Sequence, residues 1–243
     1  MKRHNLHTHT NYSDGKLPPE QLIETAEKTS LEILGISEHA FTNKLPPGYQ
    51  ITNRLQQYLE HLKKIQSSSS KIDVRIGIEI DVSKCRGIAP SKLPFDVLNG
   101  FDYVLFEYIN TECEYWGRVG NRDISEIIKV RGKLEVPVGL AHNDMQRNYN
   151  GREKHIAALL AKNNIFIELC QSEYSERRGA GRNTRDEKDY YQHFSRKLID
   201  ELLSSGVKVV AGTDSHRGEG LDILDGVYQF IEENHLRYHG MVL

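Results

Sequence analysis

The sequence predicts an α/β protein built on a parallel β-sheet with crossover helices. Short apolar runs of the kind found in buried strands alternate with longer segments of helical period. Side chains that can bind a metal ion recur at the ends of the apolar runs. The alternation alone fits either a closed barrel or an open doubly wound sheet, and periodicity does not separate the two.

Seven apolar runs are predicted as strands. They span residues 4–7, 33–37, 74–81, 103–107, 138–141, 165–169 and 207–212. Six helices are predicted to follow strands along the chain. The first opens at Pro18 and Pro19, since proline is tolerated where a helix begins, and it places Leu22, Ile23 and Ala26 on one face. The other predicted helices span 53–65, 125–133, 153–163, 189–204 and 225–234.

The chain shows no internal boundary. The only low-complexity tract, the serines at 67–70, ends the second predicted helix, and the alternation resumes directly after it. A length of 243 residues is normal for one β/α barrel. We therefore predict a single domain over residues 1–243.

The composition indicates which classes of partner the chain is expected to bind and in which cellular compartment it is expected. Lys and Arg total 32 against 34 Asp and Glu, so no excess positive charge drives sequence-independent binding to nucleic acid. Nucleic acid is thus allowed as a partner but not favoured. No leader-like segment and no run of eighteen apolar residues occurs, which predicts no membrane partner. Three dispersed cysteines indicate no disulfide framework and favour a cytoplasmic location.

Histidines and carboxylates mark the predicted strand ends. His7 and His9 alternate along the first strand, so both side chains project from one face and can reach the same ion. Further oxygen and nitrogen donors follow the later strands, at the edge where α/β sites assemble. These further candidate ligands are Asp14, His39, Glu79, His142, Asp214 and His216.

Each candidate has an ordinary structural alternative. His39 could cap a helix, His142 could be a hydrogen-bonded core histidine, and Glu79 could form a salt bridge, and such roles outnumber metal sites. Taken together, however, carboxylates and imidazoles gathered at one rim would repel one another or stay unpaired without cations. The set therefore predicts a site for more than one metal ion.

The ordered motifs resemble those of the PHP family (polymerase and histidinol phosphatase), and they span nearly the whole chain. They are His7-x-His9-Thr10-x-x-Ser13-Asp14-Gly15, Glu38-His39, Gly77-x-Glu79, Ala141-His142 and Gly212-Thr213-Asp214-Ser215-His216. The resemblance implies a distorted seven-stranded (β/α)7 TIM-like barrel. It also implies two or three divalent ions (Zn, Mn or Fe) and hydrolysis of a phosphoester by metal-activated hydroxide.

The resemblance implies three ion positions and two catalytic residues. The first ion would be held by His7, His9, Glu79 and Asp214. The second would share Glu79 and add His142. The third would be held by Asp14, His39 and His216. Asp214 and His216 are also the expected catalytic residues, and either His216 or a bound water would protonate the leaving oxygen.

One departure from the family pattern concerns the second ion. Where relatives place a histidine at the end of the fourth strand, this chain has Ile109, which cannot bind a metal. Glu107 lies two residues earlier on the same face, and we predict that it substitutes as a ligand. The alternative is that Glu107 pairs with a nearby arginine. The loss at Ile109 also leaves open a catalytically silent binding module as the alternative function.

The expected substrate is a small phosphorylated compound. It would be a phosphomonoester such as a histidinol-phosphate-like molecule, or a phosphodiester. Arg178, Arg182 and Arg217 are predicted to bind its phosphate, because guanidinium groups match phosphate oxygens. For the two arginines after the sixth strand, the alternative is a solvated loop with balanced charges. Cleavage of a C–N bond would call for a bridging lysine that the sequence does not reveal, and the oligomeric state is not indicated.

Overall fold

The computed structural model describes residues 2–69, 71–110, 122–171 and 189–239. Within them, one parallel sheet runs through its strands in chain order. The strands are β1 (His4–Asn5), β2 (Ile33–Ala40), β3 (Asp73–Asp81), β4 (Tyr103–Glu107), β5 (Val138–Leu140), β6 (Ile165–Cys170), β7 (Lys208–Gly212) and β8 (Arg237–Tyr238). The predicted α/β fold with a parallel sheet is confirmed.

The sheet curls so that its first and seventh strands lie side by side. The N–H of Leu6, just after β1, donates to the carbonyl of Ala211 in β7 (3.1 Å). Thr8 and Ser215 then form a parallel bridge, while the Ser37 N–H donates to the Thr8 carbonyl from the other side (2.9 Å). The architecture is therefore TIM-like, as the resemblance implied.

Among the described residues the sheet has one strand more than the seven predicted. β8 pairs with β7 through Arg237 opposite Lys208 and Tyr238 opposite Val209. A strand of two residues carries no periodic signal, so the hydrophobic pattern could not reveal it. At the other end of the sheet, β1 is shorter than predicted, whereas β2 continues past Ser37 and includes His39.

Helices alternate with the strands. They are α1 (Pro19–Ala26), α2 (Leu55–Ser68), α3 (Phe95–Leu98), α4 (Ile124–Arg131), α5 (Met145–Asn148), α6 (Glu153–Lys162), α7 (Arg196–Ser205) and α8 (Asp225–Glu233). The four-residue helices α3 and α5 were not predicted. The helix predicted over 189–204 begins only at Arg196, because Ser195 caps it by accepting a hydrogen bond from the Leu198 N–H (3.3 Å). None of the helices in the described ranges is long and apolar enough to cross a membrane.

The interior of the curled sheet is filled with side chains. Its buried cluster consists of Leu6, Ile33, Tyr103, Leu105, Ala141, Phe166 and Val210. Two glycines make room for the aromatic rings: a Cβ on Gly77 would lie 2.1 Å from the Tyr103 ring, and one on Gly139 would lie 2.0 Å from Phe166. The barrel is therefore a packed core, and its polar side chains collect at the carboxyl rim.

Candidate metal centre

All nine predicted metal ligands lie within the described residues, at the carboxyl ends of strands or in the loops that follow. Their ligand atoms form four groups, and the atoms within each group all lie within 4.8 Å of one another. The Asp14 cluster is His9, Asp14, His39 and His216; the Glu79 cluster is His7, His9 and Glu79. The His142 cluster is His7, His142 and Asp214; the Glu107 cluster is His39, Glu79 and Glu107. The fold thus brings together every residue of the predicted set.

Glu79 lies at the centre of these clusters and is fully buried. Its Oε1 is 3.3 Å from His7 Nε2 and 3.0 Å from His142 Nε2. Its Oε2 is 2.5 Å from His39 Nδ1 and 3.7 Å from His9 Nε2. The parallel register explains part of this, since His39 of β2 lies directly opposite Glu79 of β3. Each oxygen faces a different pair of imidazoles, so the carboxylate can bridge two ions.

The charge state of Glu79 follows from these neighbours. Burial alone would raise the pKa of the Glu79 carboxyl, but His39 and His7 outweigh burial and hold it well below its usual range. Burial likewise disfavours the charged form of His7, yet Glu168, Glu79 and Asp214 raise the pKa of His7 above its ordinary value. The centre is therefore an anionic pocket that attracts positive charge.

The Asp14 side of the centre is its open side. The side chains of Asp14 and His216 are 30% and 20% exposed, and Asp14 Oδ1 lies 3.1 Å from His216 Nε2. His216 Nδ1 lies 2.9 Å from the carbonyl oxygen of Asp214, which keeps the proton on Nδ1 and turns Nε2 toward the cluster. Asp214 itself has φ +50, a left-handed conformation that costs energy for a non-glycine residue.

Glu168 of β6 is a site residue that the sequence analysis missed. Its two carboxylate oxygens lie 2.9 and 3.0 Å from His7 Nδ1, and Oε2 accepts a hydrogen bond from the backbone N–H of His142 (2.7 Å). A Cβ at Gly212 would lie 1.9 Å from Glu168 Oε1, so only glycine leaves room there. The carboxylate turns His7 Nε2 toward Glu79. The sequence did contain a signal for Glu168, because it is an acidic residue inside the otherwise apolar run of the sixth predicted strand.

Glu38 holds the loop that carries Asp14. It is buried, and it accepts hydrogen bonds from the Thr10 N–H (2.7 Å) and from the hydroxyls of Thr10 and Ser13. Burial raises the pKa of Glu38 to about 7, although these donors favour its charged form. Gly15 closes the loop, since a Cβ there would lie 2.3 Å from the His9 carbonyl oxygen.

The ligand atoms fit divalent cations. Several of them are buried without a hydrogen bond: His7 Nε2, His9 Nδ1 and Nε2, His39 Nδ1, and Glu79 Oε2. The short approach of His39 Nδ1 to Glu79 Oε2 lacks hydrogen-bond geometry, although their distance is that of an ion pair. Buried polar atoms are normally hydrogen-bonded, so such a concentration calls for another partner. Mixed imidazole and carboxylate donors are those that Zn, Mn and Fe accept.

The structure gives Glu107 a partner that the sequence analysis did not foresee. Both of its oxygens accept hydrogen bonds from Lys44 Nζ (2.9 and 2.8 Å), rather than from an arginine. Glu107 Oε1 also lies 3.8 Å from His39 Nδ1, and Glu107 groups with His39 and Glu79. Ile109 is fully buried, and its carbonyl accepts a hydrogen bond from the Asn143 side chain (2.7 Å). That Glu107 ligates a metal stays a prediction.

The predicted phosphate-binding arginines are only partly described. Arg178 and Arg182 lie outside the described residues. Arg217 is half-buried and directly follows His216 on the open side of the centre. Its predicted contact with phosphate stays a prediction.

Comparisons with known proteins agree with the fold. The family model described as "PHP domain" matches residues 5–200. The fold is similar to that of a histidinol phosphate phosphatase from Lactococcus lactis subsp. lactis, complexed with zinc, L-histidinol and phosphate, at 19% identity and a TM-score of 0.68; the match covers 98% of this chain and 95% of that one. A putative histidinol phosphatase from Listeria monocytogenes is similar at 15% identity and a TM-score of 0.63, over 93% of this chain and 100% of that one. No curated protein matches the sequence.

Proposed function

The chain belongs to the PHP domain family, and on that premise we propose that it is a metal-dependent phosphoesterase acting on a small phosphorylated substrate. The observation that carries the proposal is the group of buried imidazole and carboxylate atoms that lack hydrogen bonds at one rim of the barrel. A purely structural polar cluster would satisfy its own members. We extend the proposal to the whole chain, residues 1–243, as one domain of this kind.

We propose that two or three divalent ions bind here, with zinc, manganese and iron as the candidates. The ligands would be His7, His9, Asp14, His39, Glu79, His142, Asp214 and His216. Whether Glu107, the ninth predicted ligand, also binds an ion depends on Lys44, which contacts both of its oxygens. When bound, such ions supply Lewis acidity toward phosphoryl oxygens and an activated water. Glu79 would lie between ions, because its two oxygens face separate pairs of histidines.

The chain's own residues orient this chemistry. Glu168 contacts His7 Nδ1 and accepts a hydrogen bond from the backbone N–H of His142, so it orients two of the proposed ligands. Asp214 and His216 are the proposed catalytic residues. Asp214 Oδ1 lies 2.9 Å from His9 Nε2, and His216 lies beside it on the open side, where a substrate can approach.

A phosphomonoester resembling histidinol phosphate is the first substrate to test. The structure from Lactococcus lactis contains L-histidinol and phosphate, and its fold is similar to that of this chain. Arg217, together with Arg178 and Arg182, is proposed to bind the non-reacting phosphoryl oxygens. A phosphodiester is the second substrate class to compare.

The test combines metal analysis with hydrolysis assays. Untagged protein purified without chelator should contain two or three equivalents of Zn, Mn or Fe, and it should release phosphate from L-histidinol phosphate or from a generic aryl phosphate. A bis-aryl phosphate measures diesterase activity in parallel. Protein that takes up no metal after incubation with these ions, and that hydrolyses neither class, would contradict the proposal and favour the binding module.

A further inference from the structure

Lys44 is a largely buried cation next to the candidate metal ligands. Its side chain is only 18% exposed, and its ammonium donates to both oxygens of Glu107, whose side chain is 1% exposed. We propose that the Lys44 ammonium takes the place of a metal ion in the Glu107 cluster, so that ions bind only among the other three clusters. The inference rests on the proposed function, because it assumes a metal centre at this rim.

The geometry of the Glu107 cluster supports a Lys44 ammonium in place of a metal ion. An ion shared by its three members would have to bind a Glu107 oxygen, and both oxygens already accept from Lys44 Nζ at 2.8 and 2.9 Å. Glu107 and Glu79 are two buried carboxylates with oxygens within 4.8 Å of each other. Such a pair needs a nearby positive charge. Lys44 supplies that charge, and its repulsion disfavours a divalent ion beside the same carboxylate.

The backbone around Lys44 is fixed on the end of β3. The Thr42 hydroxyl donates to Asp81 Oδ2 (2.7 Å), and the Lys44 N–H donates to the Thr42 hydroxyl oxygen (3.1 Å). The Asn43 N–H donates to the carbonyl of Arg86 (3.1 Å). Exposed lysine–glutamate pairs are often incidental, but this lysine is held at both its backbone and its ammonium.

The environment of the ammonium also favours a fixed cation. Lys44 Nζ lies 5.4 Å from the centre of the Tyr108 ring, within the range of a cation–π contact. At Ile109, where a further ligand could have faced the ions, the buried side chain is aliphatic. The ammonium therefore lies between the Glu107 carboxylate and the Tyr108 ring.

The test is the metal content per chain after incubation with Mn or Zn and desalting. Lys44→Met should gain about one equivalent over the wild type, because the freed buried carboxylate of Glu107 recruits an ion. The double variant Lys44→Met/Glu107→Gln should return to the wild-type value, and Lys44→Arg should keep it. An unchanged content in Lys44→Met, or a gain that persists in the double variant, would overturn the inference.

A second variant keeps the test decisive if Lys44→Met does not fold. Glu107→Gln, with Lys44 retained, should leave the metal content unchanged, since on this inference Glu107 is not a ligand. Loss of one equivalent would show that Glu107 holds an ion and would overturn the inference. Hydrolysis by the wild type is assayed separately. If the wild type is active and Glu107→Gln loses an ion, the proposed role of Lys44 is wrong, but the proposed phosphoesterase activity still stands.

Discussion

Two buried histidines three residues apart, His4 and His7, have opposite environments. His4 lies at the amino end of the barrel, where its Nε2 accepts a hydrogen bond from the Ala211 N–H (3.0 Å) and its Nδ1 contacts the Tyr238 hydroxyl. Its ring also stacks on Tyr238, with centroids 4.6 Å apart. At the carboxyl end, His7 Nε2 is buried without a hydrogen bond among Glu79 and other carboxylate oxygens.

The comparison separates a structural histidine from a candidate ligand. Burial does not distinguish them, since both side chains are inaccessible to solvent. Their partners do: both His4 ring nitrogens are used within the protein, and burial, with His239 as a secondary cause, lowers the pKa of His4 to about 3. The carboxylates around His7 raise its pKa instead. An anionic shell around an unsatisfied nitrogen therefore indicates a cation site better than residue type does.

The largest expected effect is at the centre of the anionic shell. Glu79→Gln keeps the shape of the side chain but removes the charge that faces four histidines. We expect loss of at least one bound ion and a fall in kcat/KM on the order of 10³-fold, because ion-mediated charge stabilisation contributes several kcal/mol. Elemental analysis and phosphate release measure the two effects. If Glu79→Gln kept full activity and full metal content, Glu79 would not be a metal ligand.

Glu168 tests whether the orientation of His7 matters. Glu168→Gln keeps hydrogen-bonding capacity but removes the negative charge that faces His7 Nδ1. We expect metal affinity to fall by about 10- to 100-fold, the range found when a residue that orients a metal ligand is changed. Metal titration with a competing chromogenic chelator measures this, and excess metal should restore much of the activity. Failure of excess metal to restore it would point to a role beyond orientation.

His4 is the matched control at the other end of the barrel. His4→Gln removes an imidazole that bonds Ala211 and Tyr238, so it should lower the free energy of unfolding by about 2 kcal/mol. Metal content and kcat/KM of the folded protein should stay within twofold of the wild type. Urea unfolding at neutral pH and the assays above measure both. A specific loss of metal in His4→Gln would break the contrast between the two histidines.

The smallest expected effect is a pH dependence of the stability that His4 contributes. The folded pKa of His4 is about 3, below its ordinary value of 6.5, so the folded state binds the proton less well than the unfolded chain. Its favourable contribution is present above pH 6.5 and declines as the pH falls toward 3. The stability advantage of the wild type over His4→Gln should therefore shrink by about 1.4 kcal/mol at pH 5.5 compared with pH 7.5. Paired urea unfolding curves at the two pH values measure the difference, and a constant advantage would contradict a neutral, buried His4.

The convergence of the candidate ligands could be predicted from the sequence because of topology. Parallel strands end at one edge, so ligands placed after successive apolar runs had to converge. The positions of His7, His9, His39 and Glu79 followed from that rule, with their strand bounds needing small corrections. The short eighth strand, Arg237–Tyr238, did not follow, because two residues carry no pattern.

The sequence by itself determined the alternating fold and nine of the residues that gather at the rim. Only the tertiary structure decided their individual roles: Glu168 reaches His7 through the space left by Gly212, Lys44 binds Glu107, and His4 is satisfied where His7 is not. The physical reason is that, in a parallel sheet, the position of a residue along its strand sets the edge at which its side chain lies. Hydrogen-bond partners depend on contacts between residues far apart in the chain, and local pattern does not encode those contacts.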